Sequence, residues 1–373
     1  MSTNKHLDEP ELCSTFSVLY LNENGRYIKP GKDLQLYSDG AEIDLADLPQ
    51  FFKENIVLPP KVTDVFVWVH GWQNGRKEAV EAARLMFGGL VSLQSRYPDS
   101  YKNLEEQFVP AFVIVCWPSY SGIDPAGYAK MRERAALLTE NGEAEFFLAS
   151  LLGYLEEEKK TVVASLTQAE KTLRSRFGFY VHCLGHSFGG RFLTAAVKAA
   201  DCPTSFRTEE MTKELAQKDK DRLSVRGAEF EFSVDNLIVF QMAAPASKFE
   251  KNLDDLTSRE ITPLEGPLIV TFSRHDTANC LWHAIAQFGE KGIGCEGVKK
   301  PSNKLVEIKL LAPSANYLAS DFKQGTIVNV NSNDVYDEGF MIGGGAHGDI
   351  FYEHSAHLVL SATDFARHYK TET

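Results

Sequence analysis

Along the chain, short runs of Val, Ile and Phe alternate with longer stretches in which apolar residues recur every three or four positions. A continuous apolar run of this kind suits a strand buried on both faces, and the longer spacing suits an amphipathic helix. Residues 65–69, 112–117, 179–184, 237–241 and 268–272 are predicted strands. Residues 77–95, 127–139, 144–157, 162–177 and 190–200 are predicted helices between them. Repeated strand-helix alternation predicts an α/β fold with a mostly parallel central sheet flanked by helices.

The two ends of the pattern differ. Residues 16–21 and 34–37 read as strands separated by the turn signal Asn22-Glu23-Asn24-Gly25, which predicts an N-terminal antiparallel hairpin covering one sheet edge. The polar stretch 201–229 ends in a charged run and the strand pattern resumes directly after it, so it reads as a surface insertion within one domain spanning 1–373. Two further strands, 305–311 and 325–330, leave open which of them completes the sheet, and 351–369 predicts a closing helix. No repeat of fixed period is visible.

Composition narrows the functional classes. With 43% hydrophobic and 24% charged residues over 373 positions, the chain can bury a sizeable core. A net charge of -12 argues against nucleic acid as a partner, because phosphate binding needs a concentrated basic surface. Only Lys299-Lys300 and the mixed-charge stretch 218–222 are locally basic, and both read as solvated faces. The first residues carry Asp8, Glu9 and Glu11 and lack the apolar core of a signal peptide, and no run reaches the ~18 apolar residues of a membrane helix, so a cytoplasmic protein is expected. Cys13, Cys116, Cys183, Cys202, Cys280 and Cys295 are scattered without CxxC pairs, which suggests neither disulfides nor a zinc site. No cofactor is called for, and the sequence sets no oligomeric state.

The strongest chemical signal is Gly185-His186-Ser187-Phe188-Gly189-Gly190, a GxSxG pattern. A pattern of three fixed positions arises by chance in roughly one chain in eight of this length, so its weight comes from context. A predicted strand leads into it and a predicted helix follows, which puts Ser187 on a tight strand-to-helix turn with the helix amino end facing a developing oxyanion. The plainer reading is a glycine-rich turn with a capping serine. Upstream, a predicted strand ends in Val69-His70-Gly71-Trp72, where a second oxyanion donor is needed; the backbone N–H groups of Trp72 and Phe188 are the candidates. The side chain of His70 need not meet substrate and reads equally well as a loop histidine bonded to backbone.

A serine needs a base, and the base needs an acid that fixes its tautomer. The predicted strand 268–272 is followed by Ser273-Arg274-His275-Asp276, which makes Asp276 the candidate acid, with a turn or cap residue as the bland alternative. His347, in the glycine-rich stretch 343–349 before the last helix, is the candidate base; a long excursion, 277–346, separates the two. His354 and His357 read as exposed or capping residues rather than metal ligands, and His275 and His283 are weaker candidate bases. The glycines at 343–345 lack the Gly-Lys-Ser/Thr ending of a phosphate loop.

Taken in order, His70-Gly71-Trp72, Cys116-Trp117-Pro118-Ser119, the Gly185–Gly189 turn, Asp276 and His347 resemble the α/β-hydrolase superfamily from residue 65 to the C-terminal helix. Within it the chain is most similar to uncharacterised lipase-like and esterase-like serine hydrolases, through the stretch His70 to Asn74 and the Tyr and Arg-Ala helix at Tyr128 to Ala135. The resemblance implies Ser187, Asp276 and His347 as a catalytic triad and supplies no substrate. The insertion 201–229 and the span between acid and base depart from simpler members, and either could form a lid. Aromatic Trp72, Tyr120, Phe188 and Trp282, with His70, are candidate pocket residues for a small-molecule ester or acyl substrate; the alternative is that they pack the loops. A non-catalytic small-molecule binding protein on the same scaffold is the rival expectation.

Overall fold

The computed structural model describes residues 16–30, 40–104, 108–121, 125–140, 143–165, 178–200, 232–247, 256–257, 263–286, 289–300, 302–338 and 345–369. Ten strands form one sheet: β1 Phe16–Leu21, β2 Tyr27–Pro30, β3 Gly40–Glu42, β4 Asp64–Val69, β5 Pro110–Cys116, β6 Tyr180–His186, β7 Asn236–Phe240, β8 Leu268–Phe272, β9 Leu305–Lys309 and β10 Ile327–Asn331. Their order across the sheet is β3-β2-β1-β5-β4-β6-β7-β8-β10-β9. The β1–β2 and β2–β3 pairs are antiparallel, and every other neighbouring pair is parallel. The expected mixed α/β architecture is therefore present, with β6 near the middle.

The central strands are mostly apolar because both faces of the sheet are covered. In β4, Val65, Val67 and Val69 point into one core while Phe66 and Trp68 point into the other. The first core is closed by helices α1 Leu48–Asn55, α3 Pro125–Glu140, α4 Glu143–Ser165 and α5 Phe188–Ala200. The second is closed by α2 Arg76–Arg96 and by the last helix, Glu353–Tyr369. Between β8 and β9, a π-helical turn, Ala278–Trp282, runs into the short α6 His283–Ala286, and α7 Ile293–Glu296 follows; the last helix is therefore α8.

Several expectations need correction. The hairpin forms, but its second strand is Tyr27–Pro30, entered straight from the turn, whereas the expected strand 34–37 lies outside the described residues. Helix α4 runs on to Ser165, so a separate helix starting at 162 is not formed; 166–177 and the insertion 201–229 lie outside the described residues. Of the two late strands, the later one, β10, pairs with β8, and β9 takes the edge. Cys280 and Cys295 are joined in a disulfide with Cα atoms 5.1 Å apart, against the reading that no disulfide is formed. Spacing along the chain concealed this pair, because the π-helical turn and α7 come together only through the fold. His354 and His357 are buried rather than exposed, and the ring of His357 is held between the Tyr101 hydroxyl (2.7 Å) and the Ala315 carbonyl (2.9 Å). Among the described residues, no helix is long and apolar enough to cross a membrane.

Candidate active site

Strand β6 ends at His186, α5 begins at Phe188, and Ser187 alone makes the turn between them. Its φ of 55° lies in the left-handed region that costs an ordinary L-residue on the order of 1 kcal/mol, a strain tolerated where the surroundings over-determine it. They do so here. A Cβ on Gly189 would come within 2.1 Å of the Val69 carbonyl, and one on Gly185 within 2.4 Å of Gly190 Cα, so strand and helix can approach only as glycines. The Ser187 N–H donates to the Phe240 carbonyl at 2.9 Å, which anchors the turn to β7. Its Oγ is buried and has no hydrogen-bond partner.

The stretch after β4 folds over this turn. A Cβ on Gly71 would lie 2.7 Å from Ser187 Cβ, so the residues that precede Trp72 run directly beside the serine. His70 fixes that course. Its Nε2 accepts from the Trp117 N–H at 3.0 Å and its carbonyl accepts from the Trp117 indole at 2.7 Å, while the ring lies parallel to that indole. With Nε2 accepting, Nδ1 carries the proton and donates to the Gly71 carbonyl at 2.9 Å. Burial pushes the His70 pKa down to about 4, so the ring is neutral, and both of its nitrogens are spent on backbone. Ser119 links the same two segments through the Asn74 carbonyl (3.0 Å).

The candidate base and acid meet. His347 sits on a one-turn helix, Ala346–Gly348, just before α8, and its Nδ1 lies 2.9 Å from Asp276 Oδ2. Asp276, fully buried after β8, accepts two further bonds from Asn279: backbone N–H to Oδ1 at 2.9 Å and side-chain Nδ2 to Oδ2 at 2.7 Å. With its oxygens already accepting from Asn279, the Asp276 carboxylate faces Nδ1 as an acceptor, which puts the proton on that nitrogen and leaves Nε2 as a lone pair. That Nε2 is buried and has no partner. His186, adjacent to the serine, donates from Nε2 to the His347 carbonyl at 2.9 Å and packs its ring 4.8 Å from the His347 ring. Burial first, and the neighbouring His347 second, hold the His186 pKa well below the ordinary value, so His186 braces the loop as a neutral donor. Gln241 adds a bond from Nε2 to the Ala346 carbonyl at 3.1 Å. No hydrogen bond joins Ser187 Oγ to His347 Nε2 in this structure, a common state before substrate arrives.

The aromatic residues divide. Trp72, nearly buried, meets Tyr128 and Trp282 edge-on at 5.3 and 5.4 Å between centroids, and Tyr128 lies 5.5 Å from Phe188. Tyr120 is 70% exposed and has no place in that group. His275 is exposed and bonds through its backbone, its carbonyl accepting from Ala346 N–H at 3.1 Å and its N–H donating to Ser273 Oγ at 3.1 Å. Sequence reasoning missed Asn279 and the bracing role of His186, and gave no part to Tyr128 beyond its helix. No protein-family model matches the chain, and neither a curated protein nor a solved structure matches it. Among the described residues, no group of three or more His, Cys, Asp or Glu side chains is placed to hold a metal ion.

Proposed function

We propose that the protein is a serine hydrolase of the α/β-hydrolase kind that cleaves a carboxylic ester through an acyl-enzyme. The observations that support this reading are a strained serine with an unbonded Oγ and, in contact with its neighbour His186, a histidine whose Nδ1 is held by a buried carboxylate. His347 Nε2 takes the Ser187 proton as Oγ attacks the ester carbonyl, and Asp276 stabilises the imidazolium that forms. The backbone N–H groups of Trp72 and Phe188 hold the oxyanion, the latter aided by the amino end of α5. The leaving alcohol departs with the proton from His347. Water, deprotonated by the same nitrogen, then releases the acid and restores Ser187.

The test is hydrolysis of short- and medium-chain nitrophenyl esters by wild type and Ser187→Ala, with folding compared by circular dichroism. Loss of about 10⁴-fold or more in kcat is expected in the variant. Full activity in pure Ser187→Ala would remove the assignment. The rival reading, a non-catalytic binding protein, draws on the complete burial of Ser187. It predicts neither turnover nor labelling of Ser187 by a fluorophosphonate, whereas a hydrolase labels.

A further inference from the structure

Within the aromatic group formed by Trp72, Tyr128, Phe188 and Trp282 sits a polar pair that the proposed chemistry does not use. The Tyr128 hydroxyl lies 2.7 Å from Nδ1 of His283, which is fully buried. Burial holds the phenol well above its ordinary pKa, so the hydroxyl keeps its proton and needs an acceptor for it. Nδ1 is that acceptor, and the ring, itself depressed to about 4 by burial, is neutral. The remaining proton of His283 is therefore on Nε2, and that N–H is buried with no partner.

A second donor is in the same condition. Arg132, one turn beyond Tyr128 on α3, donates Nη1 to the Ala286 carbonyl at the end of α6 at 2.7 Å, and its Nε is buried with no partner. Its guanidinium is close enough to His283 and Tyr128 to act on the titration of both. Carboxylates nearby are engaged elsewhere: Asp276 by His347 and Asn279, and Glu290 by Ser247 through its N–H (2.7 Å) and hydroxyl (2.9 Å). A buried donor without an acceptor is destabilising, so two of them beside one aromatic wall are a liability unless a ligand completes them.

We infer that His283 Nε2–H and Arg132 Nε–H form a substrate subsite for an acceptor-only oxygen group, and that the preferred substrate is an ester that also carries a free carboxylate. This rests on the hydrolase reading for the word substrate and on the two open donors for the carboxylate. A carboxylate has no proton of its own, presents two oxygens to the two donors and balances the charge of the guanidinium. The rings of Trp72, Tyr128 and Trp282 would pack the hydrocarbon between the carboxylate and the scissile ester.

The experiment separates the subsite from the chemistry by using Ser187→Ala protein, which does not turn over. Isothermal titration compares monomethyl glutarate with its neutral counterpart dimethyl glutarate. The acid is expected to bind at least about tenfold more tightly, as two charge-assisted hydrogen bonds allow. That preference should vanish when His283→Phe or Arg132→Met is added. Arg132 is partly exposed, so its variant tests the point even if the His283 variant is unstable, and thermal unfolding of each checks folding. Equal binding of the two probes, no binding of either, or a preference untouched by both substitutions overturns the subsite. Hydrolysis of nitrophenyl pentanoate by the wild type is read alongside. Pentanoate turnover without carboxylate preference removes the subsite alone; carboxylate binding without any ester turnover removes the hydrolase reading alone.

Discussion

At the scale of single residues, the site depends on how one carboxylate is held. Asp276 lies at 0% exposure and is held by bonds from His347 and from two groups of Asn279. The Asn279 side chain also donates to the Gln241 carbonyl at 2.8 Å, which ties the acid to the end of β7. Asn279→Ala removes the side-chain donor while leaving its backbone bond to Asp276. A hydrogen bond to a charged group contributes about 1.5–3 kcal/mol, so kcat on a nitrophenyl ester should fall about tenfold to a hundredfold with KM little changed. Steady-state kinetics check this, and a pure KM effect would place Asn279 in substrate binding instead.

At the scale of elements, the Cys280–Cys295 bond clasps the π-helical turn to α7 across a separation of 15 residues. The clasp lies against the acid: Cys280 N–H donates to the Asp276 carbonyl at 2.8 Å, and a Cβ on Gly294 would meet Asn279 Nδ2 at 2.4 Å. Closing a loop of this size stabilises by about 3 kcal/mol in the chain-entropy model. Urea unfolding should therefore weaken by about that amount in a thiol reductant, and Cys295→Ser should start from the weakened value and ignore the reductant. The elements themselves were largely legible in the sequence. β4 to β8 reveal themselves as short, mainly apolar runs because both faces are buried, and the serine turn is local, written in residues 185–190. What stayed hidden depends on contacts between distant segments. The disulfide, the Asn279 bonds and the burial of His357 against Tyr101, 256 residues away, leave no periodic trace. The second hairpin strand was misplaced because Tyr27–Pro30 is four residues long, too short to show alternation.

At the scale of the whole molecule, the sheet is closed to its last helix by a buried ion pair. Arg367 on α8 reaches Asp64 on β4 with both nitrogens, Nη1 to Oδ1 at 2.8 Å and Nη2 to Oδ2 at 2.7 Å, while His182 on β6 donates to Oδ1 at 2.9 Å. Burial alone would raise the Asp64 carboxyl, but Arg367 and the His182 bond outweigh it and hold it well below the usual range. Arg367→Met leaves that charge unpaired and should cost about 3–5 kcal/mol in denaturant unfolding at neutral pH. A carboxyl with a depressed folded pKa contributes stability that is present above its unfolded value, about 4, and lost as pH falls through the folded value. The gap between wild type and variant should thus narrow below about pH 4, and a pH-independent gap would show that lost packing, not charge, accounts for it.

The partners in that pair are 303 residues apart, which orders events during synthesis. Translation at roughly 5–20 residues per second leaves Asp64 waiting roughly 15–60 s for its arginine. Throughout that interval the centre of the sheet has an acid where it needs a salt. A chain halted before α8 is therefore expected to hold β4 with Asp64 bonded to His182 but still without its arginine.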